Sequence, residues 1–234
     1  MPVSLPPPVQ AALDELLAAL KSVLGDDLAS VMLHGSAARG DYHEGESDVD
    51  LIIVLRDDNP EKLEAIGGPL QLARFAARIE GILLLSSEIA GASDVFPLMY
   101  RDVAEEGVAL VGENPFKDIN PSKEHVRLRV EQELREARMR LRRSVAEARG
   151  EAPVLRKVLE QKYKQLRSPL RAMLRAFDAE APTKLPGLYA AVCKRYGVDA
   201  APIEARSKDP RAAVVALSKV LDKALAEVDK AGAN

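Results

Sequence analysis

His34-Gly35-Ser36-Ala37-Ala38-Arg39-Gly40, then a polar loop over residues 41–47, then Asp48-Val49-Asp50-Leu51 is the stretch whose reading decides the fold. The apolar run Ala29–Leu33 leads into it and reads as a buried strand, which Gly35-Ser36 breaks. Val49–Leu55 is a second apolar run of strand length. Between them a short helical turn forms an anion cradle. Glycine lets a phosphate approach the backbone closely, Ser36 reads as the cap of the turn, and the free N–H groups of its first residues point at the anion. Arg39 adds a fork of donors suited to phosphate oxygens.

Asp48 and Asp50 stand two residues apart at the start of a strand, so both point to one face. Two neighbouring carboxylates repel unless positive charge lies between them. A divalent cation answers that need, and Mg²⁺ (or Mn²⁺) is held well by one or two carboxylates plus substrate phosphates. With two ions such a site could both activate a nucleophile and steady a leaving pyrophosphate. Gly-Ser alone is common, and Asp-x-Asp alone could be a solvated strand edge. The two in order, each against a strand, are far more specific.

Working outward, Val9, Leu13, Leu16, Leu17, Leu20 and Leu24 recur at helical spacing before Gly25. Pro60–Ile79 reads as a helix and Ile82–Leu85 as a short strand. Pro97 opens a helix that stops at Gly107, and Val108–Val111 is a last strand. From about residue 122 strand signals cease. Val130, Leu134, Ala137, Leu141 and Val145 line one face of a long helix rich in Arg and Glu. Such charge mixing reads as a solvated face, with some arginines left as candidates for phosphate. A second helix starts at Pro153 and should be interrupted near Pro169, and Asp209-Pro210 caps and opens the final one. The expected fold is α+β: a small mixed sheet with helices over residues 1–118, then an all-α helical bundle over 119–234.

Charge follows the same division. Residues 1–120 hold 8 Lys/Arg against 21 Asp/Glu, and residues 121–234 hold 25 against 15. An acidic half suits metal ions and a basic half an anionic ligand, unless the two halves simply attract each other. The single cysteine, Cys193, reads as a small buried residue. The opening MPVSLPPPVQ lacks the pattern of a secretory signal, and no run reaches the length of a membrane span, so a cytoplasmic location is expected. Aromatics are 4% of the chain and Trp is absent, so aromatic stacking on bases is not an obvious design here.

Gly35-Ser36, eleven residues, then Asp48-Val49-Asp50-Leu51 resembles the signature of the DNA polymerase β-like nucleotidyltransferase superfamily. The fuller pattern, G-S-x-A-R-G with a later S-D-x-D-L, is similar to its bacterial branch of small-substrate adenylyltransferases and antitoxin-type enzymes. The order of elements through Val108–Gly112 resembles the aminoglycoside adenylyltransferases. The resemblance implies transfer of a nucleoside monophosphate, most often AMP from Mg·ATP but open to another NTP, to a hydroxyl of a small molecule or a protein. Carried onto this chain, it gives Gly35, Ser36, Arg39 and Ser47 to the nucleotide and Asp48 and Asp50 to the metal. It also implies a third carboxylate as base or metal ligand. Glu80 is the candidate for that catalytic role, with Glu88 and Asp94 behind it. In a related subgroup Phe-Pro-hydrophobic is followed by Glu, whereas Met99 stands there in this chain. That departure keeps an alternative open: a catalytically degenerate, nucleotide-binding regulatory or scaffolding module. Nucleic acid and membrane are not expected partners. A protein partner or a homodimer is compatible with the sequence.

Overall fold

The computed structural model describes residues 5–45, 47–177 and 179–232; the first residues of the Pro-rich opening and Glu46 of the 41–47 loop lie outside them. The chain forms two compact units, Met1–Asn120 and Pro121–Asn234.

The first unit runs α1 (Pro7–Leu24), a 3₁₀ turn (Gly25–Asp27), β1 (Leu28–His34), α2 (Gly35–Ala38), β2 (Val49–Leu55), α3 (Pro60–Ala77), β3 (Ile79–Leu85), α4 (Ser86–Gly91), α5 (Pro97–Glu106) and β4 (Val108–Val111). The strand order is β3-β2-β1-β4. β3 runs parallel to β2 because α3 carries the chain back to the starting edge, while β1 is antiparallel to both β2 and β4. Side chains alternate across this mixed sheet. Val31, Leu33, Leu51, Ile53 and Leu55 pack with α1 and α3 through Leu13, Leu16, Leu20, Ile66 and Ala73. Met32, Ile52 and Val54 are covered on the other face by Ile89, Tyr100, Val103 and Phe116. Burial on both faces is why β2 reads as an almost continuous apolar run.

One boundary differs from the sequence reading. The helix expected to reach Ile79 stops at Ala77, and the strand expected from Ile82 begins at Ile79. Arg78 takes a left-handed conformation, φ 54° and ψ 38°, and its N–H donates to the carbonyls of Ala73 and Arg74. It terminates the helix as a glycine would. β3 then pairs along all of β2, from Val49 with Ile79 to Leu55 with Leu85, and this pairing outweighs local helical preference. The short helices α4 and Ala201–Glu204 carry no periodic signal and were not expected from the sequence.

The second unit holds α6 (Lys123–Glu147), α7 (Ala152–Gln165), α8 (Arg167–Ala176), α9 (Leu185–Tyr196), α10 (Ala201–Glu204) and α11 (Pro210–Gly232), and no strand among its described residues. The break between α7 and α8 falls at Leu166. Pro169 cannot donate to the carbonyl of Gln165 and crowds it, so the helix ends there. Asp209 caps α11 by accepting from the N–H of Ala212 at 3.0 Å. Several α6 arginines meet carboxylates. Arg138 grips Asp222 of α11 with two bonds of 2.7 and 3.0 Å, and Arg127, Arg129, Arg140 and Arg143 pair with glutamates four residues away. Burial pushes the Cys193 thiol up to about 11, which leaves it an inert core residue. Among the described residues, no helix is long and apolar enough to cross a membrane.

Candidate active site

β1 delivers His34, and the chain turns at once through Gly35, φ 70°, into α2. A β-carbon at Gly35 would collide with Oδ2 of Asp50 and come within 3.2 Å of its Cγ. Both the backbone angle and the space therefore favour glycine. The sequence reading gave this glycine a role toward phosphate, and the structure adds a role toward Asp50. The same turn corrects the part assigned to Ser36. The strand runs on through His34, so His34 occupies the cap position without a side-chain cap bond, and Ser36 lies inside the turn.

Strand pairing then sets three polar side chains in a row. His34 pairs with Asp50 across β1 and β2, and Asp50 pairs with Glu80 across β2 and β3. Residues directly opposite one another in a sheet share a face, so Glu80 stands on the Asp50 side. Its carboxylate is half exposed and lies 3.3 Å from Nη2 of Arg74. Asp48, just ahead of β2, accepts from Nε of Arg78 at 2.7 Å. Ser47 shapes the loop that presents it. Its buried hydroxyl accepts from the N–H of His43 at 3.1 Å, and its own N–H donates to the His43 carbonyl at 2.8 Å.

The charges are coupled. Burial raises the Asp50 carboxyl above its ordinary range, Asp48 and then Glu80 raise it further, and Arg39 opposes them. His34 is depressed to about 4 by burial and by Arg39, so its imidazole is neutral at neutral pH. Arg39 lies 3.9 Å from both Asp41 and Glu106 and makes its charge felt at the row.

Residues 13–110 match the nucleotidyltransferase domain family, and the matched segment contains this whole arrangement. Over those residues the first unit is similar to nucleotidyltransferase domains. No curated protein matches the chain. Among solved structures it is similar to the spectinomycin adenyltransferase AAD(9) from Enterococcus faecialis, determined with ATP and spectinomycin. The TM-score is 0.58 at 10% identity, over 94% of this chain and 99% of that one. At that identity the likeness speaks for the fold.

Within the matched segment the weaker carboxylates have other tasks or positions. Glu88 accepts from the N–H of Leu85 at 2.9 Å and caps α4, and Asp94 is exposed in the turn after it. Met99 packs, half buried, against the core built on Met32, Ile52, Val54 and Tyr100, which accounts for an apolar residue there. Among the described residues, no three or more His, Cys, Asp or Glu are grouped to hold a metal ion unaided. Arg78 is the site residue that sequence reasoning missed. It follows Asp48 by thirty positions, and neither Gly nor Asn marks its left-handed backbone.

Proposed function

We propose that the first unit is a nucleotidyltransferase domain that transfers AMP from ATP to a hydroxyl, with a small molecule as the preferred acceptor and a protein hydroxyl as the other. The observation that carries the reading is the His34–Asp50–Glu80 row with Asp48 beside it, set against the glycine turn at Gly35. ATP as donor and a small acceptor are supported by the similar adenyltransferase, which was determined with ATP and spectinomycin.

Asp48 and Asp50 offer only carboxylate oxygens, and Asp48 makes ionisation of Asp50 more costly. That donor set fits a hard divalent cation, Mg²⁺ or Mn²⁺, completed by phosphate and water oxygens. When bound, the ion supplies positive charge against the phosphate oxygens as negative charge develops. The remaining work belongs to the chain. Gly35 and Ser36 let phosphate oxygens reach the backbone of the turn, and Arg39 adds positive potential. Ser47 fixes the loop that carries Asp48. Glu80 accepts the proton of the acceptor hydroxyl as its oxygen bonds to the α-phosphorus and pyrophosphate leaves. His34, held neutral, adds no competing charge beside Asp50.

The test uses ATP labelled at the α-phosphate, Mg²⁺ and a panel of polyhydroxylated small molecules and proteins. Label should move to an acceptor with equal release of pyrophosphate, and the Asp48→Asn, Asp50→Asn double variant should do neither. Nucleotide binding without transfer to any acceptor would instead favour the regulatory module, for which Met99 is the motivating departure.

A further inference from the structure

Arg78 makes three connections to the segment that presents Asp48. Its carbonyl accepts from the N–H of Val49 at 3.0 Å, its Nε donates to Asp48 Oδ1 at 2.7 Å, and its Nη1 donates to the Gly45 carbonyl at 3.1 Å. The guanidinium therefore holds two points at the C-terminal end of the loop while its fork is split, one prong on the carboxylate and one on a peptide. Both side chains of the ion pair are about half exposed, at 52% and 43%. An exposed pair held by one prong exchanges partners readily. A left-handed backbone at a residue other than glycine is costly, and such strain persists where the surroundings hold it in place.

We propose that Arg78 is a positioning residue that acts as an internal counter-cation, holding Asp48 in place while no divalent ion is bound and competing with that ion for the carboxylate. The proposal rests on Asp48 and Asp50 being the pair that holds the cation. On arrival of the ion, Nε releases Asp48 while Nη1 and the backbone bond keep Arg78 on the loop. Arg74 acts on Glu80 rather than Asp48 and serves as the control.

The test is a Mn²⁺ titration of the full chain without nucleotide, with free ion read by electron paramagnetic resonance. Arg78→Gln and Arg78→Asn should bind Mn²⁺ about 2- to 5-fold more tightly than the wild type, the size expected when one exposed competing charge is removed. Asn tolerates the left-handed backbone, so Arg78→Asn carries the test if Arg78→Gln fails to fold. Arg78→Lys, which keeps the charge, and Arg74→Gln should stay near the wild type. Unchanged or weaker Mn²⁺ binding in folded Arg78→Asn overturns the proposal, as does equal tightening in Arg78→Lys. If the Asp48→Asn, Asp50→Asn double variant binds Mn²⁺ as the wild type does, the metal pair itself is misassigned and the proposal falls with it. If that control loses the ion while Arg78→Asn shows no gain, only the role of Arg78 is lost.

Discussion

The carboxylate of Asp50 lies against the backbone of Gly35, in the space that any side chain at position 35 would fill. Gly40 offers a matched comparison. Its φ is 71° against 70° at Gly35, and a β-carbon there meets nothing within 4 Å. Gly40→Ala should therefore show the cost of backbone strain alone, about 1–2 kcal/mol. Gly35→Ala should cost more in a chemical melt and also lose Mn²⁺ binding, because Asp50 is displaced. Equal stability and equal Mn²⁺ affinity in the two variants would show that the contact has no consequence.

Asp50 also makes a prediction about pH. Its folded-state pKa lies above the ordinary 3.8, so the folded chain retains a proton there that the unfolded chain gives up. Stability must fall as pH rises through the window from 3.8 to the raised value. Without metal, Asp50→Asn should melt higher than the wild type at pH 7, by ~2–4 °C for each kcal/mol relieved in a chain of this size. The gain should shrink as pH is lowered through that window. Melting curves that show no gain at pH 7 contradict the assignment.

His34 runs in the opposite direction. Its folded pKa of about 4 lies below the ordinary 6.5, so between those values the unfolded chain binds the extra proton. Stability is fully present above about 6.5 and is lost as pH falls through the window to about 4. His34→Gln should flatten that part of the pH–stability curve. Nuclear magnetic resonance titration of the imidazole gives the direct check, and a midpoint near 6.5 would rule out burial as described.

Glu80→Gln should leave Mg·ATP binding within about 2-fold of the wild type. Label transfer should fall by about 10²–10⁴-fold, the usual range for loss of a general base. The informative readout is the pH profile, whose acidic limb should vanish in the variant. Retention of that limb would move the base to another group.

Much of this was legible in the sequence because the first unit advertises its sheet locally. β1 and β2 are apolar runs, and the two motif halves sit at their facing ends, so the positions of Gly35, Asp48 and Asp50 needed no long-range information. Glu80 was harder. Whether it shares a face with Asp50 depends on the register of a parallel pair joined across an eighteen-residue helix, and a shift of one residue would turn it to the other side. The true start of β3 was hidden because Ile79 also satisfies the helical spacing that precedes it. The Gly67-Gly68-Pro69 interruption inside α3 was tolerated, since α3 packs on α1 and the sheet through Ile66 and Ala73 on either side of it. The Arg78–Asp48 and Arg74–Glu80 pairs have no sequence signature, because each arises only after the crossover closes.

The left-handed conformation of Arg78 has a practical consequence for anyone redesigning this scaffold. A procedure that ranks substitutions by thermal robustness would select position 78 early, because glycine relieves roughly 1 kcal/mol of backbone strain at such a site. Arg78→Gly would then register as an improvement in heat tolerance while removing the cation that faces Asp48. A library filtered on melting temperature alone would enrich it, and only a screen that also scores ion binding would reveal what had been exchanged.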